Sequence, residues 1–256
     1  MNERPTVSVI IPVFNGERFL AEAIDSVLVQ TLPPKEIIVV DDGSTDRTSA
    51  VVSALSATAS VPIHASYQEN QGPAAARNLG VARASGDLIA FLDADDIWLP
   101  DKTAHQLAAL AAHPEAGAAW GDSCEFAGDS LAAALATSKL SGPSPQFLLQ
   151  SMLFRQPALE QIGPFDPELR IGEDVDWLLR AMEQGVRFVL HRHPVVYYRR
   201  HDANLTGDRD AARRQFYSLL KRTLDRRRAA GLQLGDQPSP FVVLPAQASG
   251  RAAYGC

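Results

Sequence analysis

Asp87-Leu88-Ile89-Ala90-Phe91-Leu92-Asp93-Ala94-Asp95-Asp96 is an apolar run that ends abruptly in carboxylates. The run from Asp87 to Leu92, bounded by Gly86 and by acids, predicts a short buried strand. In an extended chain, residues two apart point to the same side, so Asp93 and Asp95 are expected to share one. Such a pair is a hard-oxygen site suited to Mn²⁺ or Mg²⁺, with substrate phosphates completing the shell. Ala94 is expected to point into the sheet between them. An acidic strand end that merely opens a turn is the plain alternative, and it would prevail for an isolated D-x-D. The apolar run before the pair and Asp96-Ile97-Trp98-Leu99-Pro100 after it favour the metal site.

Working outward, the first 122 residues alternate strand and helix patterns. Val7 to Val13 is a β-branched run broken by Phe14-Asn15-Gly16. Phe19, Leu20, Ala23, Ile24, Val27 and Leu28 recur at helical spacing within Glu17 to Gln30. Glu36 to Val40 reads as a second strand, and it ends in Asp41-Asp42-Gly43-Ser44-Thr45-Asp46, a turn rich in capping residues before a helix to about Leu55. A weaker strand follows over Pro62 to Ser66, then an alanine-rich helix from Pro73 to Ala84, a helix from Pro100 to Ala112 and a strand over Ala116 to Asp122. Such alternation predicts an α/β fold with a mainly parallel sheet flanked by helices. Ligands of such sheets sit beyond the carboxyl ends of the strands. Pro12 to Asn15, Asp41-Asp42-Gly43 and Asp93-Ala94-Asp95 all fall at those ends, which predicts one shared site.

The second half is less regular. Ser130 to Gln146 reads as a mobile loop, and Phe147 to Phe154 as a candidate strand. Glu173 to Gln184 reads as a helix, Phe188 to Leu190 and Val195 to Arg199 as two short strands, and Asp208 to Ala230 as a long basic helix. The segment after Gly231 is expected to be irregular. We divide the chain into an α/β half at 1–122, a less regular half at 123–206 and a C-terminal basic helix and tail at 207–256.

Four further residues can carry chemistry. Asp42 can accept a hydrogen bond from a base-ring N–H, or it can simply cap the turn. Arg77, near the start of the alanine-rich helix, can reach a phosphate, or it can be a surface arginine of that helix, a reading at least as well supported locally. Asp174, in Gly172-Glu173-Asp174-Val175-Asp176-Trp177, can act as a general base. Acids at a helix start are also favoured by the helix dipole. His201, after Tyr197-Tyr198-Arg199-Arg200, can serve as a third metal ligand or a phosphate contact.

The chain of 256 residues is 46% hydrophobic, enough for a full core. Its net charge of −6 gives no support for nucleic-acid binding. Cys124 and Cys256 form no metal or redox motif, and no disulfide framework is expected. No signal peptide or membrane-spanning run is apparent, which predicts a cytoplasmic protein. The basic C-terminal helix, with its apolar stripe, is expected to pack on the domain with a solvated basic face; the alternative is that it rests on anionic lipid at the inner membrane face.

Together, V-S-V-I-I-P-V-F-N, V-D-D-G-S-T-D, G-P-A-A-A-R-N-L-G, F-L-D-A-D-D-I-W-L-P-D-K and G-E-D-V-D-W resemble the family 2 glycosyltransferases, the inverting group with the GT-A fold. The resemblance runs from about Val7 to His201. It implies transfer of a sugar from a nucleotide-diphosphate sugar, UDP-sugar favoured, to an acceptor hydroxyl that could be lipid-linked. It also implies non-processive action in cell-surface polysaccharide or glycoconjugate synthesis. Pro12, Phe14, Asn15, Asp41, Asp42, Arg77, Asp93 and Ala94 would bind nucleotide, Asp93, Asp95 and His201 would hold the metal, and Asp174 would be the base. No Q-x-x-R-W signature of processive synthases is present. A HAD-type phosphatase needs its D-x-D near the chain start, and a nucleotidyltransferase needs G-x-G-T-R after the first strand, so neither fits. A non-catalytic sugar-nucleotide-binding relative is the alternative from another class.

Overall fold

The computed structural model describes residues 4–202, 209–229, 231 and 239–244. The order is β1 (Val7–Val13), α1 (Leu20–Leu28), β2 (Glu36–Asp41), α2 (Thr48–Ser56), β3 (Ile63–Tyr67), α3 (Pro73–Arg83), β4 (Leu88–Phe91) and β5 (Ile97–Trp98). Then come α4 (Lys102–Ala112), β6 (Ala118–Ala127), α5 (Leu131–Ala136), a 3₁₀ turn (Leu149–Ser151), β7 (Met152–Arg155) and α6 (Gln156–Ile162). The chain continues with α7 (Glu173–Glu183), β8 (Phe188–Arg200), α8 (Arg209–Ala229) and β9 (Phe241–Val243).

Among the described residues the strands form one nine-stranded sheet, ordered β3-β2-β1-β4-β7-β6-β8-β5, with β9 also on β8. Pairing is parallel from β3 through β4 and antiparallel on both sides of β7. β6 runs through Asp122, so the proposed boundary there falls inside a strand.

Each face of the sheet carries its own core. On one, Val9, Ile11, Ile37 and Val39 pack with Leu20, Ala23, Ile24 and Val27 of α1, spaced for a single helical stripe. On the other, Ile10, Ile38, Ile89 and Phe91 pack with Ala74 and Ala76 of α3 and Trp177 and Leu178 of α7. Full burial of each large aliphatic side chain is worth about 1.5–3 kcal/mol. α3 lies unusually close to β1, because a Cβ on Gly80 would stand 2.3 Å from Ile10 Cγ2. α7 is fastened to the turn before it. Trp177 Nε1 donates to Gly163 O at 2.7 Å and its ring stacks on Phe165 at 4.7 Å. Asn78 of α3 closes two hydrogen bonds with the backbone of Phe165, at 2.8 and 2.9 Å, which brings α3 and α7 together.

Several expectations for the second half change. Ser130–Gln146 holds the short helix α5, capped by Ser130, and bridges back to β6 at Ser123↔Ser144 and Phe126↔Leu140. The pattern 188–199 is one strand, not two. It carries a bulge: between the Trp120↔Leu190 and Ser123↔Val196 pairs, β8 spends three more residues than β6. α6 was not foreseen. Three residues of the C-terminal segment form β9 on β8. Cys124, buried in β6, is disulfide-bonded, against expectation; Cys256 lies outside the described residues.

The basic helix α8 packs on the domain. Leu219 is buried, Arg222 pairs with Asp166 at 2.7 Å, and Arg226 pairs with Asp176 and Glu183 at 2.8 Å each. The side chains of Arg209, Arg213, Arg214 and Phe216 lie outside the described residues. No helix among the described residues is long and apolar enough to cross a membrane.

Candidate active site

The site lies past the carboxyl ends of β1, β2 and β4, where two loops are knitted together. Asn15 N donates to Ser44 Oγ at 2.9 Å and Asn15 Oδ1 accepts from Thr45 N at 2.8 Å. Asn15 has φ 51°, a left-handed conformation its short polar side chain tolerates. Gly16 N donates to Thr48 Oγ1 at 2.9 Å, and a Cβ on Gly16 would stand 2.4 Å from Val13 Cγ2. The glycine therefore lets the loop fold back toward Ala94. Pro12 is partly buried in β1, and Phe14 projects its ring, 53% exposed, at the strand end.

Asp41 Oδ1 accepts from Ser44 N at 2.8 Å and closes the turn after β2. The buried Asp42 carboxylate accepts from Gln68 Nε2 at 2.7 Å and from the N–H groups of Gln71 and Gly72 at 2.8 Å. It thus fastens β2 to the entry of α3. An ionised carboxylate has about four acceptor positions, so one remains.

β4 ends at Phe91, and Asp93 to Asp96 form a turn closed by Asp96 N donating to Asp93 O at 3.1 Å. The expected extended geometry gives way to a turn. Asp93 Oδ1 accepts from Arg77 Nη2 at 2.7 Å, whereas Asp95 Oδ2 lies 2.9 Å from His201 Nε2. Ala94 packs against the core beside β1. Burial raises the Asp95 carboxyl, the Asp93 charge raises it further, and His201 opposes both.

Arg77 also departs from expectation. It is 4% exposed and does not reach out for a phosphate. Two carboxylates capture it, Asp93 and the equally buried Glu173, which pairs with its Nη1. Burial alone would lower the guanidinium's pKa; Asp93, Glu173 and Asp174 outweigh that and raise it. Its Nε finds no hydrogen-bond partner. Glu173 stood in a motif but was not singled out from sequence, since nothing local showed which of two neighbouring acids would turn inward.

Asp174 sits beside it in the first turn of α7, partly exposed, with Oδ1 accepting from Val175 N at 2.8 Å. Burial pushes its carboxyl pKa up, Arg77 pulls it down, and Asp93 pushes it up again, with a net rise. A carboxylate raised in this way is a better proton acceptor at neutral pH. Asp174 and Asp93 therefore flank one arginine and feel one another.

Asp96 is fully buried and has a separate task. Its Oδ1 accepts from Arg199 N at 2.8 Å and its Oδ2 from Gln150 Nε2 at 2.6 Å, which joins the turn to β8. Burial, then the charges of Asp95 and Asp93, hold its carboxyl well above the usual range.

Among the described residues no group of three or more His, Cys, Asp or Glu side chains is arranged to hold a metal ion. Two adjoining ligands do fit one. The Asp95 carboxylate and the His201 imidazole are within hydrogen-bond distance, and a dication would relieve the burial of Asp95 and its repulsion by the Asp93 charge. Mn²⁺ and Mg²⁺ accept such partial sets, with phosphate and water filling the shell.

The sequence profile described as glycosyl transferase family 2 matches residues 8–148. This chain belongs to that family. An uncharacterized glycosyltransferase of Nostoc sp. is 49% identical over 96 residues, 38% of this chain and 30% of that protein's length. Among solved structures, Staphylococcus aureus TarS 1–349 in complex with UDP-GlcNAc superposes with TM-score 0.66 at 21% identity, over 79% of this chain and 61% of that one. A mannosyltransferase from Pyrobaculum calidifontis in complex with GDP-Man and Mn²⁺ gives TM-score 0.62 at 23% identity, over 93% and 67%. The fold of this family 2 chain is thus the GT-A fold.

Proposed function

We propose that this chain transfers a glycosyl group from a nucleoside-diphosphate sugar to an acceptor hydroxyl, with inversion at the anomeric carbon. The observation that carries the reading is the Asp93–Arg77–Glu173 chain of ion pairs beside Asp174, which puts a carboxyl of raised pKa next to the turn bearing Asp95. The acceptor oxygen forms its bond to the anomeric carbon on the side opposite the diphosphate. The bond from that carbon to the diphosphate oxygen breaks, its electron pair leaving with the diphosphate. The acceptor's proton passes to Asp174. Phe14 offers a ring face to the base and Asp42 its remaining acceptor position to a ring N–H. Asp95 and His201 would hold a divalent cation, which when bound supplies positive charge where the leaving diphosphate gains negative charge. A UDP-sugar is the favoured donor, in keeping with the UDP-GlcNAc held by TarS.

Asp174→Asn should cut turnover about 10²–10⁴-fold while leaving the thermal midpoint near that of the parent. Near-parental turnover with a UDP-sugar and its acceptor removes Asp174 from the role. A thermal-shift comparison of UDP, GDP and dTDP, each with and without Mn²⁺, tests the donor assignment by mass action. Contact of α8 with anionic lipid is the lesser part of the proposal, and co-sedimentation with liposomes that ignores anionic lipid removes it.

A further inference from the structure

Arg199 is the most thoroughly enclosed cation near the site, with its side chain 0% exposed. Burying a guanidinium is costly unless its donors are met, and here they are met by separate segments. Nε donates to the backbone oxygen of Asp95 at 2.7 Å. Nη1 donates to Asp129 O at 2.5 Å, in the turn after β6. Nη2 pairs with Glu22 of α1. The guanidinium lies between two rings, 4.4 Å from the centroid of Phe19 and 4.7 Å from that of Phe126. Its own N–H is held by Asp96 Oδ1.

Pair register explains why β8 delivers this side chain to Asp95. β5 pairs antiparallel with β8 at Ile97↔Tyr197 and Trp98↔Val196, so the chain before Ile97 runs back along Tyr198 and Arg199. His201 lies two residues beyond Arg199. Its ring packs on Phe19, centroid to centroid 4.9 Å. Phe19 is thus shared between Arg199 and His201, while Asp95 is held by Arg199 through its carbonyl and lies against His201 through its carboxylate.

We propose that Arg199 is a positioning residue for the divalent cation. It locks the Asp95 turn, and through Phe19 the His201 imidazole, in the relative placement that lets both bind one ion. It touches neither the donor nor the acceptor. The inference rests on the reading that Asp95 and His201 take the cation. Lysine cannot replace it, because a single ammonium cannot span Asp95 O, Asp129 O and Glu22 in three directions.

The test is Mn²⁺ binding by calorimetry in the presence of saturating UDP, together with the Mn²⁺ dependence of glycosyl transfer. Four proteins are compared: the parent, Asp95→Asn, Arg199→Lys and Phe19→Leu. Residues that orient metal ligands are typically worth 10–100-fold in metal affinity. Arg199→Lys should bind Mn²⁺ in that range more weakly than the parent and need correspondingly more Mn²⁺ for half-maximal activity. Saturating Mn²⁺ should then restore most of its kcat, a rescue that a general loss of structure would not show. Phe19→Leu should weaken Mn²⁺ severalfold and serves as the readout where Arg199→Lys does not fold. Parental Mn²⁺ affinity in the folded Arg199→Lys protein, or in Phe19→Leu when Arg199→Lys does not fold, overturns the positioning role, provided Asp95→Asn has lost Mn²⁺. If the parent binds no Mn²⁺, or Asp95→Asn binds it as well as the parent, the metal assignment itself fails and the positioning role fails with it.

Discussion

Among the described residues, two clusters of titratable groups meet the problem of burial in opposite ways. At the site, Arg77 is enclosed by Asp93 and Glu173, with Asp174 adjacent, so cation and carboxylates offset one another and the guanidinium keeps its charge. Between α4 and β8, Lys102, His105, His191 and His193 crowd together with no carboxylate among the described residues paired to any of them; nearby Asp122 of β6 is taken by Arg192 at 3.0 Å. Burial there holds the Lys102 amine well below the lysine range. The His191 imidazole is brought down to about 3, by burial first and then by Lys102, His193 and His105. Lys102 donates to Gln106 Oε1 at 2.6 Å and Met152 O at 3.2 Å, as a packing element would. A displaced pKa therefore marks chemistry only where charge is retained and aimed at open space; without a counter-charge it marks a core that has neutralised its own members.

Breaking the compensated cluster should cost most. Arg77→Met leaves Glu173 buried without its cation, a loss of about 3–5 kcal/mol in unfolding free energy by urea titration. A loss well under 1 kcal/mol would show that Arg77 is not what keeps these acids charged.

The second prediction concerns pH. His191 binds its proton more weakly folded than unfolded, so its contribution to stability is intact above about pH 6.5 and declines as pH falls toward about 3. The slope from this one group is at most about 1.4 kcal/mol per pH unit. His191→Leu should flatten that part of the stability curve, and a slope equal to the parent's would assign the acid sensitivity elsewhere.

The carboxyl groups have the opposite sign. Asp96 is raised in the fold, so its ionisation detracts from stability at high pH, and the penalty lifts as pH falls through the folded value. Asp96→Asn in metal-free protein should therefore stabilise by on the order of 1 kcal/mol at pH 8 and by nothing near pH 4. An equal effect at both values would point to lost hydrogen bonds instead of charge.

Much of the fold was legible because it is local. The strands of the first 92 residues and helices α1 and α3 are written in β-branched runs, helical spacing and capping turns, and the strand-end clusters did converge. What escaped depends on distant partners. β5 has two residues and exists because β8 pairs with it. Arg77 looked like a surface arginine because its captor Glu173 lies 96 residues away. Arg199 and Glu22 are separated by 177 residues, and no local pattern announces their contact. The D-x-D lies in a turn and not in the extended segment its spacing suggests, since spacing gives positions along a chain and not the path the chain takes.

The surplus of three residues in β8 has a consequence for counting. Side chains alternate faces along a strand, so an odd surplus inverts the alternation beyond it. The segment His191 to Pro194, where the histidines gather, is therefore a gauge block: its length sets which face Arg199 and His201 present. Removing one residue there would keep every side chain of the site in the sequence and turn both of these to the wrong side of the sheet.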